Sequence, residues 1–355
     1  MNSLEQARAQ INQIDKDMAI LFEKRMKAVE DVVAFKIENN LPVLDQNREQ
    51  FVIDKNLAYI QNESYKEYYK EFIQELMNVS KKYQTRLLNN DIIGYQGTQG
   101  AFSHIALQQL FPNQKEKSYK TFKEVFQAVE SGEITQGILP FENSYTGEVG
   151  EVLDLLYQHK CYITKIYDLK INQNLLGVKG TKLTDIKQVY SHHQALSQCK
   201  RYFDLYDFEL IPFQNTALAA QYVSETNDKT KAAVASTETA KLYELEILVE
   251  NINTSAENTT RFVVISKNQN KSGNRFNIMF TLSHNAGQLA SAMQIISKYN
   301  FNMESIQSKS IQNIPWQYYF YVEIIGDASD KNAIALLEEL KANCKEIKLL
   351  GVYNK

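Results

Sequence analysis

Several short stretches place hydrogen-bonding groups side by side where they could hold a small polar molecule. After the strand-like GILPF, Glu142, Asn143 and Ser144 present a carboxylate, an amide and a hydroxyl in succession. Ser191 and Gln198 frame QVYSHHQALSQC, Thr216 opens TALAA, and Thr260, Arg261 and Phe262 stand together in NTTRFVVIS. Such groups can grip an anionic substrate and ease the departure of a poor leaving group such as hydroxide. Each serine or threonine taken alone is more often an ordinary helix cap. Glu142 could accept hydrogen bonds or, with a pKa raised by burial, donate a proton. His192 and His193 are adjacent, so regular structure turns them different ways, and no carboxylate is paired with them by spacing. No metal and no cofactor are expected.

A second polar set lies nearer the amino terminus. Residues 4–38 lack Gly and Pro, and Ile11, Ile14, Met18, Leu21, Ala28, Val32 and Phe35 recur at helical spacing. Such a helix is roughly 50 Å long and needs partner helices to cover its stripe. The stripe is interrupted by Arg25, and Lys36 follows eleven residues on, about three full turns, so both cations face one way. Ser80 and Gln84, a turn apart, extend the apolar line Tyr69, Ile73 and Leu76 of a helix predicted from Tyr65 to Leu87. Between them, Asp45, Arg48 and Glu49 open a further predicted helix. Two readings fit: an internal salt-bridge network, or a site for a small dianion with surplus positive charge.

The elements that carry these residues divide the chain in three. Residues 1–88 read as an all-helical module. Over 91–267, apolar runs (DIIGY, GILPF, QVYSH, AAVAS, RFVVIS) alternate with helical segments, which predicts an α/β domain with a largely parallel sheet. Thr121 and Glu124 form a capping box and Gly132 closes that helix. Pro140 is expected to end its strand, which leaves Glu142, Asn143 and Ser144 just before a helix over 148–158. Ser191 is expected to cap the next helix. Glycines at 97 and 100 lack the spacing of a dinucleotide fingerprint. After a polar linker, 268–274, the order over 275–355 is βαββαβ, the ferredoxin-like plan.

Composition sets outer limits. With 355 residues and a net charge of −3, the chain suits several domains and offers no basic tract for nucleic acid. Three scattered cysteines fit a reducing compartment, and neither a signal peptide nor an 18-residue apolar run is present; a cytoplasmic location is expected.

Residues 1–88 resemble the all-helical chorismate mutases: Arg8, Arg25, Lys36, Asp45, Arg48, Glu49, Ser80 and Gln84 fill the eight motif positions with the expected types. The resemblance implies that two protomers interlock, that Arg8, Arg25 and Arg48 bind the carboxylates of chorismate, and that Lys36 and Gln84 meet the ether oxygen. Asp45 and Glu49 would take the hydroxyl, with Ser80 in support. Arg8 stands roughly 100° around the helix from Arg25, which agrees with Arg8 serving a partner's site. Rearrangement to prephenate needs no acid, base or nucleophile, only a compact conformer and stabilised charge.

Residues 91–266 resemble prephenate dehydratase through G-x-x-G-x-F-S at 97–103, P-F-E-N-S at 140–144, S-H-x-Q at 191–194 and T-R-F at 260–262. Thr98, Ala101 and His193 depart from the family's usual proline, small hydroxyl residue and proline. The resemblance implies a periplasmic-binding-protein-like pair of lobes around a cleft, where prephenate loses carbon dioxide and water to give phenylpyruvate. Thr260 would be catalytic and Arg261 nearest a substrate carboxylate, with Glu142, Asn143, Ser144, Ser191, Gln198, Thr216 and Phe262 completing the site. Residues 275–355 resemble an ACT domain. That implies L-phenylalanine as effector near Asn285, Gly287 and Leu289, or a dimerisation module. The family's Glu-Ser-Arg-Pro is here Gln307-Ser308-Lys309-Ser310, which implies weak coupling. A bifunctional homodimeric enzyme of phenylalanine synthesis is expected. An aromatic-metabolite sensor that lost catalysis is the alternative, and dehydrogenase chemistry lacks its nicotinamide fingerprint.

Overall fold

The computed structural model describes residues 3–38, 46–88, 91–255, 257–311, 314 and 316–355. They fall into two compact units, 1–90 and 91–355. The first holds the helices Ser3–Glu38, Gln46–Leu57 and Lys66–Leu88, close to the predicted spans. Ile53, Ile73 and Met77 form a small core, and the long helix buries Val29 and Val33. The predicted stripe itself stays open along the whole helix: Ile14 is 57%, Leu21 62% and Phe35 60% exposed, beside exposed Ile11, Met18, Ala28 and Val32, so the buried face is the neighbouring one that carries Val29 and Val33. Covering such a side chain fully contributes roughly 1.5–3 kcal/mol.

In the second unit, strands and helices alternate as expected, but the sheets are mixed rather than largely parallel. Ile92–Gln96 pairs in parallel with Lys115–Tyr119 and with Gln136–Asn143. Thr259–Ser266 then runs antiparallel between Gln136–Asn143 and Tyr162–Lys170. The strand returning late in the sequence enters the middle of the first lobe, which no local pattern announces. A second, five-stranded sheet spans 174–249 and forms the other lobe, with Gln188–Ser191 parallel to both Glu209–Pro212 and Lys231–Ala235. The capping box of Thr121 and Glu124 and the left-handed Gly132 close the helix Phe122–Ser131 as predicted.

The last segment has the βαββαβ order. Its strands lie side by side as Glu346–Tyr353, Arg275–Thr281, Tyr318–Ile325 and Asn302–Ser310, the ferredoxin-like arrangement. One sheet face is covered by Gln288–Lys298 and Lys331–Asn343, through Ile296, Leu336 and Leu340. The other face packs on the first lobe, where Met279, Tyr319, Tyr321 and Leu350 share a core with Phe126, Phe141 and Leu153. The two halves join into one sheet where Gly351 pairs with Ile163. A Cβ at Gly351 would lie 2.0 Å from the Ile163 carbonyl oxygen, so only glycine allows this approach. Gly351→Ala should therefore destabilise the second unit by about 1–3 kcal/mol, read as a lower midpoint in thermal unfolding; an unchanged midpoint would contradict the close junction.

Candidate active sites

In the helical unit the two stripe-breaking cations meet neutral partners on the third helix. Arg25 Nη1 donates to the Ser80 hydroxyl, and Ser80 is buried. Lys36 Nζ donates to Gln84 Oε1 at 3.1 Å. Burial draws the Arg25 guanidinium below its ordinary pKa, with no carboxylate contributing. Among the described residues no carboxylate forms an ion pair with Arg25. Glu49 does take an ion pair, with Lys81 Nζ at 3.0 Å, a residue the sequence reading did not single out. Arg48 lies over the Phe51 ring, 5.2 Å from its centroid, and Arg8 is exposed. Asp45 lies outside the described residues. A groove of about 720 Å³ runs beside Arg25, lined by Met18, Leu21, Phe22, Tyr69, Phe72 and Leu76.

In the second unit Pro140 does not end its strand. Gln136–Asn143 continues through it, because the missing N–H is absorbed by a bulge. Phe262 pairs with Pro140 and Arg261 with Glu142, so Phe141 is the extra residue. A bulge inverts the alternation of side chains beyond it. Without it Asn143 would share the face of Leu139 and Phe141; with it, Asn143 stands beside its pairing partner Thr260 on the face that carries Tyr95 and Phe262.

The Asn143 amide has one orientation. Its Oδ1 accepts the backbone N–H groups of Tyr145 at 3.0 Å and Thr146 at 3.1 Å. The Nδ2 therefore donates to Thr260 Oγ1 at 2.9 Å and to Asn258 Oδ1 at 2.9 Å. Asn258 passes the connection to Gln198 Oε1 at 3.0 Å on the other lobe. The sequence reading missed buried Asn258, although it lies two residues before Thr260 and so on the same strand face. Further bonds close the lobes on each other: Gln194 to Thr146 Oγ1 at 2.9 Å, and Thr239 Oγ1 to the Gly100 carbonyl at 2.8 Å. Gly97 and Gly100 take positive φ in this loop, a conformation open to glycine. Thr98 between them keeps a buried hydroxyl without a hydrogen-bond partner among the described residues.

Other expected site residues fall differently. Glu142 and Arg261 project to the face opposite Thr260. There Arg261 Nε meets Asp168 at 3.1 Å, and its Nη1 lies 3.5 Å from Glu142 and 3.8 Å from Glu323. Burial disfavours the Arg261 charge, yet Asp168, with Glu323 and Glu142 behind it, holds its pKa above the ordinary arginine value. Phe262 belongs to the core with Ile138 and Val264. Ser191 ends its strand and donates to the Val234 carbonyl at 2.7 Å; His192 caps the next helix instead, through its ring nitrogen. Thr216 is the buried first residue of Thr216–Thr226, with Asn215 as the cap. Ser144 Oγ donates to the Glu257 carbonyl at 3.1 Å. In the last module Asn285 and Gly287 are exposed in the turn before Gln288–Lys298, and Leu289 lies in its first turn.

Replacing the Asn143 amine by oxygen would set a carboxylate against Asn258 Oδ1 and the Thr259 carbonyl, acceptor facing acceptor. Asn143→Asp is expected to cost the second unit about 1–3 kcal/mol, measured by denaturant unfolding; wild-type stability would show that this network carries no such strain.

The comparisons with known proteins match this division. A family model of type II chorismate mutase matches residues 7–85, and one of prephenate dehydratase matches 93–270. A bifunctional chorismate mutase/prephenate dehydratase of Buchnera aphidicola subsp. Schizaphis graminum is 32% identical, over 99% of this chain and 96% of its own. Among solved structures, one named GqqA, a quorum-quenching acylase, covers 74% of this chain and 97% of its own at 27% identity and TM-score 0.67. Prephenate dehydratase from Arthrobacter aurescens in complex with L-Phe covers 74% and 90% at 23% identity and TM-score 0.69, which shows a common fold. Full-length similarity together with both matched domains places the chain in the family of bifunctional chorismate mutase/prephenate dehydratases, enzymes that join an isomerase and a lyase of aromatic biosynthesis on one polypeptide.

Proposed function

We propose that chorismate binds beside Arg25 in the helical unit and that prephenate binds between the two lobes, against Thr260. One observation carries the first assignment: the half-buried Arg25 guanidinium faces a hydroxyl rather than a carboxylate. A cation that no carboxylate among the described residues pairs with is suited to an anionic ligand. Arg48 takes a second carboxylate, Lys36 and Gln84 stabilise charge on the ether oxygen as its bond breaks, and Asp45 and Glu49 hold the hydroxyl. Ser80 fixes Arg25. Arg8 serves the site of a second copy, whose helices cover Ile11, Ile14, Met18 and Leu21; homodimer formation thus hides the open stripe and completes both sites.

In the cleft, Asn143 donates to Thr260 Oγ1, which occupies a lone pair and leaves the hydroxyl hydrogen for the departing hydroxide of prephenate. Loss of the carboxylate as carbon dioxide supplies the electrons that expel hydroxide as the ring becomes aromatic. Gln198, Ser191, Thr216 and Ser144 frame the substrate. Glu142 and Arg261 stand apart, on the other strand face. The functional divisions are 1–88, 91–267 and 275–355, and a cytoplasmic location suits the substrates; among the described residues no helix is long and apolar enough to cross a membrane. The last division is an ACT domain that takes L-phenylalanine near Asn285, Gly287 and Leu289. Its βαββαβ plan and the L-Phe held by the similarly folded Arthrobacter dehydratase support this reading.

Chorismate supplied to purified protein tests both sites. Lys36→Ala should lower mutase turnover at least about a hundredfold with unchanged unfolding, and near-normal turnover would refute its role. Thr260→Ala should accumulate prephenate; phenylpyruvate at the normal rate would remove it from the mechanism. Phenylalanine titration should change dehydratase rate only weakly, because Lys309 replaces the motif arginine; a strong response at micromolar effector would contradict this.

A further inference from the structure

We propose that Glu323, contributed by the C-terminal module, is a positioning residue of the dehydratase site that acts by holding Arg261 on the face of the strand opposite Thr260. The inference rests on the cleft reading above. Among the three carboxylates around Arg261, Asp168 is 46% and Glu142 36% exposed, whereas Glu323 is 1% exposed. Exposed pairs contribute little, while a buried carboxylate must be matched by charge and hydrogen bonds. The match for Glu323 comes from two sides. Tyr353 OH donates to its Oε1 at 2.6 Å from within its own module, and the Arg261 guanidinium stands 3.8 Å away on the catalytic lobe. Burial and the nearby carboxylate push the Tyr353 phenol well above its ordinary pKa, so it stays a donor.

The location gives this pair its effect. The register shift falls between Arg261 and Phe262, one residue beyond Thr260, where the ladder toward Gln136–Asn143 is interrupted. Side-chain contacts must then fix what ladder bonds do not. A backbone rotation that frees Arg261 from Glu323 also turns Thr260 Oγ1 away from Asn143, because neighbouring side chains share the peptide between them. The same module reaches the far end of the 143–149 connection: Lys309 Nζ pairs with buried Asp154 at 2.5 Å, and Tyr319 OH donates to the same carboxylate at 2.8 Å. The strand pair that carries Thr260 and Asn143 is thus held from its opposite face by the sheet of the C-terminal module.

Steady-state dehydratase kinetics on the full chain test this, with mutase activity as an internal measure of intact protein. Glu323→Gln should lower kcat for prephenate about tenfold, with KM within about twofold and mutase turnover unchanged. In an Arg261→Ala background the same substitution should add no further loss, as expected for two groups acting through one contact. A wild-type kcat for Glu323→Gln, or losses that multiply in the double variant, would overturn the proposal. Should Glu323→Gln lose the cooperative unfolding of the second unit, Tyr353→Phe, which keeps the charge, should lower kcat without raising KM; wild-type kcat there would equally overturn it. Thr260→Ala run in parallel separates the outcomes. Retained activity in Thr260→Ala refutes the cleft reading itself, whereas its loss with a normal Glu323→Gln refutes the clamp alone.

Discussion

A strand that contains a proline cannot keep an unbroken ladder, and the bulge that results at Phe141 is the constraint on which the dehydratase cleft depends. It converts a run of alternating side chains into one that changes face partway. Leu139 and Phe141 pack toward the C-terminal module, and Asn143 turns toward the other lobe. Asn143, Thr260, Asn258 and Gln198 then form a buried chain of donors and acceptors in which each amide has a fixed orientation. Because the amides of that chain are satisfied within the protein, it adds rigidity around Thr260.

The helical unit solves a different electrostatic problem. A rearrangement without proton transfer calls for fixed positive charge near a breaking bond, and such charge is most effective where water and protein carboxylates are excluded. Arg25 donates to a hydroxyl and Lys36 to an amide oxygen, both on the third helix. Glu49 by contrast is balanced by Lys81. The same helix leaves a long apolar stripe exposed, with Ile11, Ile14, Met18 and Leu21 open.

The C-terminal module covers one face of its sheet with its own two helices and packs the other on the first lobe. Tyrosines Tyr319, Tyr321 and Tyr353 carry both apolar area and a hydrogen-bonding tip, so the junction is at once packed and polar. Ion pairs at Glu323 and Lys309 fix its register. Two charged pairs, Arg261 with Glu323 and Lys309 with Asp154, would have to separate before this surface could slide.

Much of this was legible in the residues. Helical spacing fixed the three N-terminal helices to within a residue or two, the Thr121–Glu124 box and Gly132 marked one helix at both ends, and the βαββαβ order stood out from alternating periods. These are local signals, carried by neighbours in the chain. Motif resemblance likewise singled out Thr260, Asn143 and Arg25, because family patterns record residue types at fixed spacing. What it could not record was direction. Pro140 in a strand-like run hinted at a break, yet whether the chain stopped or bulged depended on Thr259–Ser266, a strand more than a hundred residues away, arriving beside it. That pairing, and the docking of a separate module behind it, decided that Glu142 and Arg261 face away from the cleft while Asn258 enters it. Periodicity states which residues share a face; only long-range pairing states what that face meets.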